Sequence, residues 1–195
     1  MSPFRRSLCL LLLATACALR VSAAAPAGWL ERAGVRDLSG RPVASSARWF
    51  AVVFLSPDCP LANNAVPILN QLARDFAGQP VAVIGAYVDG DLELPALRAH
   101  AKAYGLTFLA VDDRAHHLVA LAHATYTPQA AVFSADGILL YRGRIDDRVG
   151  EIAAERPAAT THDLHDVLAA LVAGEAGPFP DRSGFGCAIP QSLKR

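Results

Sequence analysis

Charge of either sign is scarce in this chain, and what there is cancels. Asp, Glu, Lys and Arg make up 18% of the 195 residues, 18 acidic against 18 basic. No basic run stands out, which excludes the electrostatic footprint of a nucleic-acid-binding protein. No long apolar stretch follows the one at the extreme N-terminus, so no membrane span is expected in the mature chain. There is no internal repeat. There is no Gly-x-Ser-x-Gly elbow, which speaks against a Ser-His-Asp hydrolase. Cysteine is sparse as well, four in all, and no Cys-x-x-Cys pairs any of them.

What is present begins with an address. Arg5 and Arg6 precede a short apolar core over residues 8–19, and Val21-Ser22-Ala23 supplies small residues for cleavage. This is the pattern of a secretory signal peptide over residues 1–24, and its core falls short of the roughly 20 residues a span requires. Cys17 after Ala14-Thr15-Ala16 is a weaker sign of lipidation, which, like an uncleaved signal, would tether the chain to a membrane. Removal of the signal takes Cys9, Cys17 and three arginines, leaving Cys59 and Cys187 among 15 basic and 18 acidic residues. An exported chain enters an oxidising compartment, where two cysteines can pair. The mature length of roughly 170 residues suits one domain, over 25–173, with a Gly/Pro-rich tail over 174–195 that carries Cys187.

Strand and helix signals alternate along the mature chain, which predicts an α/β domain. Residues 49–55 are an unbroken apolar run, read as a buried central strand. A helix is predicted over 60–76, with Pro60 tolerated in the first turn and Ile68, Leu69, Leu72 and Phe76 on one face. Further signals give a strand over 80–88, a helix over 93–104 stopped by Gly105, a strand over 107–111 and a short helix over 114–122. Strands over 130–134 and 138–142 around Asp136-Gly137 read as a hairpin. Thr160-Thr161-His162-Asp163 reads as a capping box opening a last helix to 173, after a loop over 147–159.

The chemistry centres on Cys59, where the first long strand meets a proline and a helix. Unpaired amides and the dipole at a helix N-terminus favour the reactive thiolate. Position 62, where a redox motif would place the second cysteine, is alanine. In order and spacing, Asp58-Cys59-Pro60, Pro67, Tyr126-Thr127-Pro128 and the hairpin stretch from Val132 to Gly143 resemble the redoxin group of thioredoxin-fold proteins. That group includes the alkyl hydroperoxide reductase/thiol-specific antioxidant (AhpC/TSA) proteins and exported thioredoxin-like proteins. The resemblance covers residues 29–173, and the stretches Tyr141-Arg142-Gly143-Arg144-Ile145-Asp146-Asp147 and Gly186-Cys187-Ala188-Ile189 are similar to an exported bacterial subset.

The resemblance implies a three-layer α/β/α sandwich around a central mixed sheet with a C-terminal hairpin and helix. It implies that Pro128 is cis and faces the sulfur, and that Thr127, with Pro128 and Pro60, meets the substrate. The implied activity is thiol–disulfide exchange by Cys59 on a protein or small-molecule thiol or disulfide, without a cofactor and with an electron donor the sequence leaves unnamed.

Cys187 lies on a flexible tail about 14 residues past the last helix, and extended chain reaches roughly 3.3 Å per residue, so it can cross the domain to Cys59. Three roles stand open for it: a resolving thiol, a static staple, or an unpaired thiol for an external partner. Peroxide reduction is the alternative activity. Ser56 supplies the hydroxyl of a Ser-x-x-Cys site, but Val52 stands where the peroxiredoxin proline belongs. Thr127-Pro128-Gln129 stands where those proteins place an arginine, and Arg142 and Arg144 are expected on the far strand, solvated. These departures favour disulfide exchange. Asp58 is expected to cap the helix, and Asn63 and Asn64 to be surface residues. The competing class is a Cu(I)-binding or redox scaffold protein, since thiolates suit that ion. His162 and His165 are its candidate histidines but read as a polar helix face, and no Cys-x-x-x-Cys is present, so no metal ligand is assigned.

Overall fold

A computed structural model of the protein describes residues 28–149 and 158–189. The predicted signal peptide, with Cys9 and Cys17, and most of the predicted 147–159 loop lie outside the described residues. The elements in chain order are α1 (Trp29–Arg32), β1 (Arg36–Asp37), β2 (Trp49–Leu55), α2 (Pro60–Asp75), β3 (Val81–Tyr87), α3 (Leu94–Ala103) and β4 (Leu109–Asp112). There follow α4 (His117–Ala122), β5 (Tyr126–Thr127), β6 (Ala130–Ser134), β7 (Leu139–Gly143), α5 (Asp163–Val172) and β8 (Cys187–Ala188).

Six strands form a mixed sheet in the order β1-β4-β3-β2-β6-β7, with β5 and β8 in a separate two-stranded pair. β2 and β3 run parallel, as do β3 and β4, while β1, β6 and β7 join antiparallel. The apolar run of β2 has no polar face because it has no exposed face: all seven residues are buried. Its side chains alternate between two cores. Trp49, Ala51, Val53 and Leu55 pack with Leu69 and Leu72 of α2, Leu97 of α3 and Leu164 and Leu168 of α5. Phe50, Val52 and Phe54 pack with Trp29 and Leu30 of α1 and with Leu118 and Ala122 of α4. The result is the expected α/β/α sandwich. Burial of each large apolar side chain contributes about 1.5–3 kcal/mol, so β2 is a firm base for the residues that follow it.

The boundaries differ from the sequence reading where side chains intervene. The short helix opens at His117 rather than 114. His116 has φ of 59°, and the buried carboxylate of Asp113 accepts the Leu118 and Val119 N–H groups at 2.9 Å each. β4 opens at Leu109 because the Thr107 amide and hydroxyl both donate to Asn70 Oδ1 at 2.8 Å. The predicted capping box does not form. His162 is the N-cap of α5, without a side-chain cap bond, and the amides of Thr160 and Thr161 and the Thr160 hydroxyl donate to Asp147 instead. Asp147 is itself buried, and a buried carboxylate draws whatever donors are near.

Up to Ile189, the tail is not the loose segment its glycines and prolines suggest. The Phe179 N–H donates to the Leu140 carbonyl at 2.7 Å and the Arg182 N–H to Arg142 at 3.1 Å, along the outer edge of β7. An open sheet edge presents unpaired backbone groups, and the tail satisfies them. Among the described residues, no helix is long and apolar enough to cross a membrane.

Candidate active site

β2 delivers the chain to Ser56-Pro57-Asp58, a turn in which the Cys59 N–H donates to the Ser56 carbonyl at 3.2 Å. Cys59 is the N-cap of α2 in extended conformation, with Pro60 beginning the helix and the Cys59 carbonyl accepting the Asn63 N–H at 3.0 Å. The N-cap is therefore Cys59 and not Asp58, whose side chain is exposed one residue too early to take that role. Proline carries no N–H, so the first-turn amides of Leu61 and Ala62 are the ones left without an intrahelical acceptor.

Opposite α2 lies β5, and the Thr127-Pro128 peptide that follows is cis. The Cys59 sulfur stands 3.2 Å from the Thr127 carbonyl oxygen. Gln129 holds this loop from two sides: its carbonyl accepts the Phe54 N–H at 2.9 Å, and its side-chain oxygen accepts the Thr125 N–H at 2.8 Å.

Cys59 is bonded to Cys187, with the two Cα atoms 6.0 Å apart across a sequence separation of 128. The tail around Cys187 is strand β8, antiparallel to β5, with Cys187 opposite Thr127 and Ala188 opposite Tyr126. The Ile189 N–H extends the pairing to the Thr125 carbonyl at 3.0 Å, and the Ile189 side chain joins the core. Gly186 lets the strand approach, because a Cβ there would run into the Thr127 carbonyl oxygen and the Tyr126 ring. Cys59, Cys187, Pro60, Thr127 and Pro128 thus come together in one place, and the backbone edge at Thr127 is filled by the chain's own tail. Beside it, Leu61, Ala65, Pro128, Arg144 and Phe185 line a cavity of about 40 Å³. That is room for a few waters and well below the roughly 150 Å³ of a cavity that takes up a benzene ring.

Behind Cys59 lies a polar chain that the sequence reading missed. Asn63 Nδ2 donates to the Pro57 carbonyl at 2.9 Å, and its Oδ1 is 2.9 Å from His100 Nε2. His100 Nδ1 is 2.7 Å from the Tyr87 hydroxyl. The amide oxygen only accepts, so Nε2 carries the proton and Nδ1 accepts from Tyr87. Burial pushes the His100 pKa down, with Asp58 opposing weakly, which agrees with this neutral form. A second link joins the Ser56 hydroxyl to Asp89 Oδ1 at 2.9 Å. Burial holds the Asp89 carboxyl above the usual carboxylate range, against the Ser56 hydrogen bond, and its Oδ2 is buried with no hydrogen-bond partner among the described residues. Asn63 is therefore no idle surface residue. Its partners sit on different elements, and no sequence spacing announces them.

Arg142 and Arg144 are not free in solvent as expected: each is partly buried, paired with Asp181 and Asp163 respectively. The ring of His165 packs 5.2 Å from that of Phe76, and with His162 it lines a groove alongside Pro67, Ile68 and Leu72. Among the described residues, no group of three or more His, Cys, Asp and Glu is placed to hold a metal ion.

No family model and no curated protein matches the chain. Solved structures do. An uncharacterized conserved protein from Geobacillus kaustophilus superposes with a TM-score of 0.69 at 20% identity, over 83% of this chain and 89% of that one. A hypothetical protein from Sinorhizobium meliloti gives 0.68 at 23% identity, over 82% and 90%. The thioredoxin domain of a thiol-disulfide oxidoreductase from Bacteroides vulgatus gives 0.51 at 14% identity, over 70% and 89%. The fold is thioredoxin-like.

Proposed function

We propose that the chain is an exported thiol–disulfide oxidoreductase, with Cys59 as nucleophile, Cys187 as resolving thiol, and Thr127 and Pro128 as the edge that docks substrate beside Pro60. The observation that carries the reading is the Cys59–Cys187 disulfide, placed at the N-terminus of α2 and against β5. The N-terminal basic, apolar and small-residue pattern supports export, and the oxidoreductase among the structural neighbours is in keeping with the activity.

In the reduced protein the Cys59 thiolate attacks a substrate disulfide. One substrate sulfur bonds to Cys59 and the other leaves as a thiolate. Cys187 then attacks the Cys59 sulfur, the Cys59–Cys187 bond forms, and the second substrate thiolate departs. Two electrons pass from the cysteine pair to the substrate, and an external thiol donor returns them. The small cavity and the strand pairing at Thr127 favour a protein substrate in extended conformation over an enclosed small molecule.

Peroxide reduction fits these residues less well. The Ser56 hydroxyl donates to Asp89, and Arg142 and Arg144 are in ion pairs, so none of the three is free for a peroxide. Disulfide exchange with a cysteine-containing peptide substrate tests the proposal. Cys59→Ser should lose about 100-fold or more in rate, since a hydroxyl is no substitute for a thiolate nucleophile. Full exchange activity in that variant would sink the reading.

A further inference from the structure

The two sulfurs of the disulfide are unequal, and this bears on the step that regenerates the reduced protein; the inference rests on the exchange reading above. They differ first in access. Cys59 is 1% exposed, walled by α2 on one side and by Thr127-Pro128 on the other. Cys187 is only half-buried, on an outer strand whose next residue, Ala188, is exposed. They differ also in what holds them once the bond is broken. The Cys59 sulfur would be left at the N-cap of a 16-residue helix, near the amides of Leu61 and Ala62 and the positive end of the dipole. The Cys187 sulfur would be left on a two-residue strand with no comparable support. Exchange rates depend on access to the attacked sulfur and on how readily the other leaves. Both favour attack at Cys187.

We propose that the external thiol that reduces this protein attacks Sγ of Cys187, not Sγ of Cys59, and that the tail strand then leaves β5 carrying the adduct. The donor thiolate forms a bond to the Cys187 sulfur, the Cys59–Cys187 bond breaks, and its electron pair leaves on Cys59 as a thiolate. A second donor thiolate attacks the donor sulfur of the adduct. The donor disulfide is released, and the Cys187 thiolate takes a proton from solvent. Two donor thiols are oxidised and the protein disulfide is reduced. The same event that frees the Cys59 sulfur removes β8 from the Tyr126–Thr127 edge, so the substrate edge opens only when the nucleophile is ready. Donor and substrate meet different sulfurs, and the oxidised protein offers its substrate no vacant edge.

The test uses the oxidised full chain, a brief pulse of excess reduced glutathione, and immediate blocking of freed thiols with N-ethylmaleimide. Peptide mapping by mass spectrometry then identifies the group on each sulfur. The expected product carries glutathione on Cys187 and maleimide on Cys59, exceeding the reverse arrangement by about tenfold or more. Glutathione on Cys59 with maleimide on Cys187, or an even split, overturns the inference and leaves the exchange reading standing. Failure of glutathione to open the disulfide at all overturns both. Loss of the exchange reading alone is read separately, from the activity of Cys59→Ser.

Discussion

The neutral His100 ring is a single-residue feature with a measurable consequence. It is held between an acceptor, Asn63 Oδ1, and a donor, the Tyr87 hydroxyl, and burial lowers its pKa in the folded protein. The unfolded chain therefore binds this proton more readily. The stabilising contribution is complete above the unfolded value, near 6.5, and declines as pH falls through it toward the folded one. The thermal midpoint should drop between about pH 7.5 and about pH 5.5, and His100→Phe should remove part of that drop. A drop of unchanged size in the variant would show that His100 is not the group responsible. The position of His100 on its helix was legible from sequence; its connection to the turn before Cys59 was not, because residues 57, 63, 87 and 100 meet only through packing.

Among the elements, α4 and β8 are short and depend on others for their ends. α4 has six residues and no cap from its own N-cap residue. Asp113 supplies the cap from outside, satisfying two amides with one buried carboxylate. Asp113→Ala should cost about 2 kcal/mol, the worth of a cap plus buried unsatisfied donors, seen in urea as a lower midpoint with an unchanged slope. β8 is held by backbone pairing that only a glycine at 186 permits. Gly186→Val should push the strand off Thr127 and make the Cys59–Cys187 bond about tenfold easier to reduce in a glutathione redox buffer, the value of one or two hydrogen bonds. An unchanged redox equilibrium would mean that β8 contributes nothing to closing the disulfide. The elements themselves were largely readable, since the apolar runs and the Asp136-Gly137 turn are local signals. The capping box failed because Asp147, brought from another part of the chain, competes for its threonines.

For the whole molecule, the disulfide joins the start of α2 to a tail 128 positions away. A loop of that size carries a closure entropy worth about 5 kcal/mol in the unfolded chain, as an upper figure. Reduction of the protein, or Cys187→Ser, should lower the unfolding free energy by a few kcal/mol, measured by chemical denaturation with and without reductant. Equal stability of the two forms would mean that the tail is held by its backbone pairing alone. A large difference would make the redox state of the pair a determinant of the fold's strength as well as of its chemistry.

Sequence by itself determined the parts whose signals lie within a few residues. The seven-residue apolar strand needs no partner to declare itself, and a proline after Cys59 followed by helical periodicity places that sulfur at a helix start. Tertiary structure decided what faces the sulfur. The tail has no hydrophobic period, and its glycines and prolines read as freedom until the open edges of β7 and β5 give its backbone somewhere to pair. From the sequence, Cys187 could equally be a resolving thiol, a static staple or an unpaired thiol. It becomes the partner of Cys59 because strand pairing brings it opposite Thr127, and that pairing runs through backbone groups, whose only mark in the sequence is the glycine at 186 that lets the strands approach.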